Sequence, residues 1–130
     1  MKKFYTMENF LKSGYYNIPR LILDSERSSC EKTALRARIL RYFYEKVYFA
    51  KGEVVFNGRR YLCFRGEFIA SQRELAEYFN LDRQQWTRII AEFTSENILK
   101  IERVRGGSRF SIVGYDCIVG KKSAQYKQTN

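Results

Sequence analysis

The sequence contains no histidine, so the commonest general base and the usual activator of a serine or cysteine nucleophile are absent. Its three cysteines, Cys30, Cys63 and Cys117, are far apart and show no C-x-x-C spacing. Without histidine they cannot complete a common zinc site, so we expect free thiols, no metal and no cofactor. We also find no phosphate-binding loop and no carboxylate pair at catalytic spacing. The sequence therefore predicts that this protein is not an enzyme.

Long apolar runs are lacking as well. No stretch approaches the roughly 18 apolar residues that a membrane-spanning helix needs. Residues 1–10 begin like a signal peptide, with two lysines after the first methionine, but no continuous apolar region follows them. We therefore expect a cytoplasmic protein that makes no membrane contact.

Acidic residues are few relative to basic ones. The 130 residues include 24 Lys and Arg against 14 Asp and Glu, a formal net charge of +10 at pH 7. Such a balance favours a polyanionic partner. By charge alone, nucleic acid and an anionic membrane surface are the candidates, and of the two we expect nucleic acid. Residues 98–130 hold seven basic and two acidic residues, so the basic excess is concentrated near the C-terminus.

Residues 71–99 predict two helices joined by a tight turn. Ser71 followed three residues later by Glu74 is the pattern of a capping box, which predicts a first helix over residues 72–79. Asn80 and the following leucine form the expected turn. Asp82 is then a candidate N-cap, with its negative charge favourably placed at a helix start.

The second of these helices is amphipathic. Apolar residues recur at the spacing of one core-facing stripe, namely Trp86, Ile89, Ile90 and Phe93. The opposite face carries small or hydrogen-bonding residues, namely Gln84, Gln85, Thr87, Arg88 and Ala91. Asn97 stands where a left-handed residue is expected to end the helix. The pattern fits a helix-turn-helix whose second helix enters the major groove of DNA, or else an ordinary helical hairpin.

A β-hairpin, or wing, follows directly. Residues 99–104 alternate apolar and polar side chains, residues 105–108 contain paired glycines that supply a tight turn, and residues 109–113 alternate again. The tip carries Arg103, Arg105 and Arg109, which suits contact with phosphate or the minor groove. The alternative is a solvated hairpin whose charges have no partner.

The order of these elements resembles the winged-helix domain of DnaD-like and phage replisome-organiser proteins. The matching positions are Gly66, Phe68, Ser71, Leu75, Ala76, Trp86, Ile90, Phe93, Ile98, Leu99, Tyr115 and Asp116. Residues 15–24, YYNIPRLILD, also resemble the opening segment of plasmid replication-initiator N-terminal domains. Asn97 departs from the usual glycine. Those proteins usually carry a second domain after the wing, whereas this sequence ends soon after it. We therefore expect a small transcription or copy-number regulator as an equal alternative to an initiator.

The rest of the chain predicts an α+β winged helix-turn-helix within one domain, residues 1–119, followed by a flexible basic tail, residues 120–130. We expect an N-terminal helical extension (1–27), a first helix (28–50) opened by a Ser28–Glu31 capping box, a hairpin insertion (51–64) turning at Asn57-Gly58, and the helix-turn-helix with its wing (65–116). Ile18, Leu21 and Ile22 should pack on the body. Residues 67–70 should pair with the wing, and residues 113–116 should close its last strand.

The first functional hypothesis is a double-stranded DNA-binding protein. Its predicted base-edge contacts are Gln84, Gln85 and Arg88, and its predicted backbone contacts are Arg83, Thr87, Arg103, Arg105 and Arg109, with Arg36, Arg38 and Arg73 as additional candidates. Neutralising about five phosphates would give a salt slope of about −4 to −5. The resemblance implies replication initiation or its control, or transcription regulation, on a plasmid, phage or mobile element.

The second hypothesis is a winged-helix module that binds another protein, such as a replication or regulatory partner, without strong affinity for DNA. It predicts an exposed apolar patch. Because one winged helix reads only a few base pairs, the first hypothesis also predicts a homodimer.

Overall fold

The computed structural model describes residues 18–48 and 51–119, and within them the fold is α+β. Five helices and two small antiparallel sheets are formed by these residues. In chain order the elements are α1 (Arg20–Ser25), α2 (Glu31–Lys46), β1 (Gly52–Phe56), β2 (Arg59–Cys63), β3 (Glu67–Ala70), α3 (Gln72–Tyr78), α4 (Arg83–Ser95), β4 (Leu99–Val104), β5 (Gly107–Ile112) and α5 (Tyr115–Val119).

A three-stranded sheet in the order β3-β5-β4 supports one side of the core. Phe68 of β3 is paired with Phe110 of β5, and Ile101 of β4 is paired with Phe110 from the other side. Side chains alternate across the sheet, so Ser108, Phe110 and Ile112 are buried on one face. The predicted pairing of residues 67–70 with the hairpin that follows α4 is confirmed.

The core lies between this sheet and helices α2, α3 and α4. Phe43 and Phe110 are fully buried, and their ring centroids are 5.2 Å apart. The predicted stripe of α4 is buried throughout, and Trp86 stacks on Phe79 of the preceding turn. Burial of these large rings contributes strongly to the hydrophobic stabilisation, since each removes more than about 150 Å² from water.

The region before β1 follows the prediction in part. Pro19 is the N-cap of α1, and Ile18 and Ile22 pack on the core. The expectation for Leu21 is wrong, because it is 75% exposed. Successive residues in a helix point about 100° apart, so a helix that packs Ile22 against the core turns the neighbouring Leu21 towards solvent.

Helix α2 is shorter than residues 28–50. Its N-cap is Cys30 without a side-chain hydrogen bond, and Ser28 accepts from the Cys30 amide, so the Ser28–Glu31 capping box is not formed. Val47 is extended, and the amide of Tyr48 donates to the Glu67 carbonyl, which joins the end of α2 to β3. Residues 1–17 of the expected helical extension and the expected tail, residues 120–130, lie outside the described residues.

The predicted hairpin insertion is formed by β1 and β2. Asn57 (φ 51°) and Gly58 (φ 75°) both have the positive φ that a two-residue hairpin turn of this kind requires. The prediction for residues 113–116 is wrong. Strand β5 ends at Ile112, Gly114 has φ 69°, and its carbonyl accepts from the Cys117 and Ile118 amides in α5.

All three cysteines are free thiols, as expected. Burial raises the pKa of the Cys63 thiol, whereas the Thr33 hydrogen bonds lower the pKa of the exposed Cys30 thiol. No helix in the part of the chain that the structure describes is long and apolar enough to cross a membrane.

Candidate nucleic-acid interface

Local capping signals fix the geometry of the α3–α4 pair. The Ser71 hydroxyl accepts from the Glu74 amide over 3.3 Å at the start of α3. At the start of α4, the Asp82 carboxylate accepts from the Gln85 amide over 2.8 Å, and the Gln85 side chain accepts from the Asp82 amide over 3.0 Å. Asn80 has φ 60°, a conformation that Asn tolerates, and turns the chain between the helices.

The solvent-facing side of α4 carries the predicted residues. Its exposed members are Arg83, Gln84, Gln85, Thr87, Arg88 and Ala91. Gln85 differs from the others, because its side-chain oxygen is occupied by the cap and only its NH₂ group is available. Glu92, at the edge of this face, forms an ion pair with Arg36 of α2. The prediction that this face points outward is confirmed.

Gln72 ties α3 to both α4 and β5. Its side-chain oxygen accepts from the Trp86 indole N–H over 2.9 Å, and its amide donates to the Ser108 hydroxyl over 3.0 Å. Ser108 is buried, so the Gln72 amide satisfies a polar group that would otherwise have no partner. One side chain therefore holds the helix pair at a fixed position against the hairpin β4–β5.

A groove of about 1050 Å³ lies between the helix pair and the β4–β5 hairpin. Its charged lining consists of Arg73, Glu77, Arg83 and Arg103. Arg73 lies 4.0 Å from Glu77, and both side chains are highly exposed, so their attraction is weak. Within the described residues, neither Arg83 nor Arg103 forms an ion pair. The groove therefore carries a net positive charge.

Of the three arginines predicted at the tip of the β4–β5 hairpin, Arg103 and Arg105 are exposed. Arg103 is paired with Ser108, whose side chain is on the helix face of the sheet, so Arg103 points to the same side as α4. Arg105 is exposed in the two-residue turn beside Gly106, which has φ 79°. Both cations are therefore available at the edge of the groove.

Arg109 has a different environment from the predicted one. Its guanidinium donates to the Leu62 carbonyl over 2.6 Å and to the Glu67 carboxylate over 3.0 Å, and it lies 3.1 Å from Glu102. Its side chain is only 17% exposed. Direct opposition to Glu102 places it on the outer face of the sheet, away from α4. The structure thus assigns Arg109 to a contact between β2, β3 and β4 and not to the predicted phosphate contact.

The additional candidates divide in the same way. Arg36 is paired with Glu92, so its charge is already neutralised within the fold. Arg38 is exposed, with its guanidinium 6.0 Å from the centre of the Phe79 ring, and Arg73 is exposed at the groove. Arg38 and Arg73 remain candidates for contact with the DNA backbone. Arg36 instead joins α2 to α4 through its ion pair with Glu92.

Sequence reasoning missed that the β1–β2 hairpin packs on the outer face of the β4–β5 hairpin. The Asn57 side-chain amide donates to the Arg105 carbonyl over 3.2 Å, and the Phe56 ring covers Gly107. A Cβ atom at Gly107 would lie 2.6 Å from the Phe56 ring and 2.8 Å from the Ala70 carbonyl. The second glycine of the pair was the available signal, since the turn itself requires a positive φ only at Gly106.

Comparison of this chain with protein-family models, with curated proteins and with solved structures finds no match.

Proposed function

We propose that α3, α4 and the β4–β5 hairpin form a winged helix-turn-helix, and that the protein binds double-stranded DNA through it. In this proposal α4 is the recognition helix and β4–β5 is the wing. Helix α4 has 13 residues, which corresponds to a length of about 20 Å. The major groove of B-DNA, about 12 Å wide, accepts a helix of this kind.

The observation that carries the proposal is the continuity of the polar side of α4 with the cationic groove. Gln84, Thr87 and Arg88 are exposed on α4, and Arg83 and Thr87 line the groove opposite Arg103. Glu92, the acidic residue of α4, is neutralised by Arg36. A duplex lying along this surface would meet hydrogen-bonding side chains at its base edges and cations at its flanks.

The individual roles follow from these positions. Gln84 and Arg88 are the proposed base-reading residues, because Gln can pair with adenine and Arg with guanine. Gln85 offers only its NH₂ group, so its role is smaller than the sequence suggested. Thr87, Arg83, Arg103 and Arg105 are the proposed phosphate contacts, with Arg73 beside them. Arg109 and Arg36 are left out, because carboxylates already occupy them.

The test is fluorescence anisotropy of a labelled random duplex at several salt concentrations. Four cations, Arg73, Arg83, Arg103 and Arg105, should by themselves give a slope of log affinity against log salt of about −3 to −4. Arg103→Ala should lower the steepness of that slope by about 1. On a duplex selected from a random pool, Arg88→Ala should weaken binding by about fivefold or more.

Arg20→Ala is the matched control, since Arg20 is an exposed arginine in α1 and does not line the groove. It should change neither the affinity nor the slope appreciably. Absence of duplex binding by the wild-type protein at low salt would contradict the proposal. Binding that Arg20→Ala weakens as much as Arg88→Ala would contradict the assignment of the surface.

The biological role we propose is replication initiation or its control, or transcription regulation, on a plasmid, phage or mobile element. Support comes from the family resemblance of residues 15–116 and from the net charge of +10. We also propose a homodimer, because two copies would read a longer site than one. Light scattering at tens of micromolar should then give twice the 15.5 kDa mass of the chain.

A second candidate function, binding of another protein, is favoured by one apolar surface. Val55, Leu62 and Phe64 are exposed by 67%, 41% and 50%, and Val55 and Leu62 lie on the same outward face of the β1–β2 hairpin. An interaction module of this kind should show little affinity for the random duplex. If the protein is an interaction module, substitution of Leu62 and Phe64 by Ser should abolish binding of its protein partner. If it binds DNA as proposed above, the same substitutions should leave duplex binding unchanged.

A further inference from the structure

The tips of the two hairpins lie side by side, although β1–β2 and β4–β5 are separated in the chain by α3 and α4. The Asn57 amide at the first tip donates to the Arg105 carbonyl at the second. Next to this hydrogen bond, the Phe56 ring lies against Gly107. These two contacts join the tips through a polar and an apolar interaction.

Both tips carry arginines. Arg59 and Arg60 directly follow the Asn57-Gly58 turn, and both are exposed. Arg103 and Arg105 lie at the tip of the second hairpin and are exposed as well. In the described part of the chain, Glu53 is the carboxylate that pairs with one of these four guanidiniums. It lies 3.8 Å from Arg60, and both partners are more than two thirds exposed, so the pair is weak.

The contact between the hairpins extends from the tips along their length. Arg109 of β5 donates to the Leu62 carbonyl of β2, and the Glu67 carboxylate accepts both from Arg109 and from the Phe64 amide. Arg109 and Glu67 are 17% and 20% exposed, so this ion pair is shielded from water. The β1–β2 hairpin is therefore held along its length and positions its tip relative to the wing.

From this arrangement we infer that the β1–β2 tip acts as a second wing, which binds the DNA phosphate backbone beside the first. The two joined tips carry four exposed arginines, of which Arg103 also lines the groove together with Arg83. Clustered guanidiniums favour phosphate, which they can bind in a bidentate manner. The β1–β2 tip thereby lengthens the DNA contact beyond the helix-turn-helix and a single wing. This inference depends on the proposed function.

The test is the salt dependence of random-duplex binding by the full chain carrying Arg59→Ala and Arg60→Ala together. Loss of two phosphate contacts should lower the steepness of the salt slope by about 2, from about −5 in the wild type to about −3. The matched control carries Arg20→Ala and Lys32→Ala, which remove two exposed cations from α1 and α2. The control should keep the wild-type slope. Trp86 fluorescence and circular dichroism should show the same fold in both variants.

Two further variants separate the possible outcomes. Glu53→Gln removes the acid beside Arg60 and should raise the affinity by about twofold at low salt. Arg103→Ala tests the first wing alone. If Arg103→Ala lowers the slope and the Arg59/Arg60 variant does not, the second wing is refuted while the proposed function stands. If the wild-type protein does not bind the duplex at all, both are refuted.

Discussion

The Trp86 indole N–H donates to the Gln72 side-chain oxygen over 2.9 Å, and this bond connects the first turn of α3 to the first turn of α4. Because the amide end of Gln72 also donates to Ser108, the same side chain sets the distance between the helix pair and the β4–β5 hairpin. The width of the proposed DNA-binding groove thus depends on a residue that need not touch DNA.

Replacing Gln72 with Ala should leave the indole N–H and the Ser108 hydroxyl without their partner. We expect the free energy of unfolding to fall by about 1–3 kcal/mol, the range for buried polar groups that lose a hydrogen bond. Urea denaturation followed by Trp86 fluorescence measures this change. Gln84→Ala, on the exposed face of α4, is the control and should alter stability by less than about 0.5 kcal/mol. Equal effects of the two variants would contradict the bridging role of Gln72.

Arg109 and Arg103 lie in neighbouring strands, but replacing each with Ala should have different effects on the stability of the fold. Arg109→Ala removes the cation that pairs with the half-buried Glu67 carboxylate and the guanidinium that donates to the Leu62 carbonyl, so stability should fall by about 1–3 kcal/mol. Arg103→Ala removes an exposed side chain and should leave stability within about 0.5 kcal/mol of the wild type. Parallel denaturation and anisotropy measurements test both. A stable Arg109→Ala protein that has lost duplex binding would show that the assignment of these two residues is wrong.

Asn97 ends α4 with φ 62°, a conformation that glycine adopts freely and that a residue with a plain Cβ adopts at a cost. Asn97→Gly should therefore be neutral or slightly stabilising. Asn97→Ala should lower the free energy of unfolding by about 1 kcal/mol, since Ala lacks the polar side chain that helps Asn in this region. Thermal denaturation of the pair distinguishes the effect of backbone conformation from that of side-chain loss. An Asn97→Ala protein as stable as the Asn97→Gly protein would contradict a cost of the positive φ at this position.

Tyr44 should make the fold sensitive to alkaline pH. Burial raises the pKa of Tyr44 to about 12, with the nearby Tyr115 adding to the effect, whereas an unfolded tyrosine titrates near 10. Since the folded pKa is the higher one, the associated stability is fully present below about pH 10. It is lost as pH rises towards 12, by an amount of the order of 2 kcal/mol.

Urea denaturation between pH 9 and about 11.5 measures this loss. Tyr44→Phe keeps the ring and removes the titrating group, so its stability should decline less steeply with pH than that of the wild type. Tyr78→Phe is the matched control, because Tyr78 is 67% exposed. Identical pH profiles for the wild type and the Tyr44→Phe protein would count against burial of the phenol as the cause.

Local signals predicted much of the fold. The Asp82 cap, the Asn57-Gly58 turn and the Trp86 stripe each specify a structure within a few residues, and the structure has all three where the sequence placed them. The Ser28–Glu31 capping box failed because the chain begins α2 two residues later, with Cys30 as the N-cap. The prediction that Leu21 packs on the body was wrong because hydrophobic character alone does not determine which side of a six-residue helix meets the core.

The contacts that distinguish the cations of the candidate site are long-range, and no spacing rule encodes them. Arg103 and Arg109 looked equivalent in the sequence, yet Arg103 faces the groove. Arg109 instead bonds to Glu67 and Leu62, which precede it in the chain by 42 and 47 positions. Likewise, the paired glycines of the turn were explained by turn geometry alone. The packing of Phe56 shows that the second glycine, Gly107, leaves space for a side chain of the other hairpin.

That packing links two distant positions of the sequence. Phe56 fits only where residue 107 has no side chain, so neither position can change alone without opening a gap or creating an overlap. Because a Cβ atom at position 107 would also lie 2.8 Å from the Ala70 carbonyl, folded variants should keep Gly107 even where residue 56 is small. A library randomised at both positions and sorted for folded protein should return glycine at position 107 throughout, while position 56 varies.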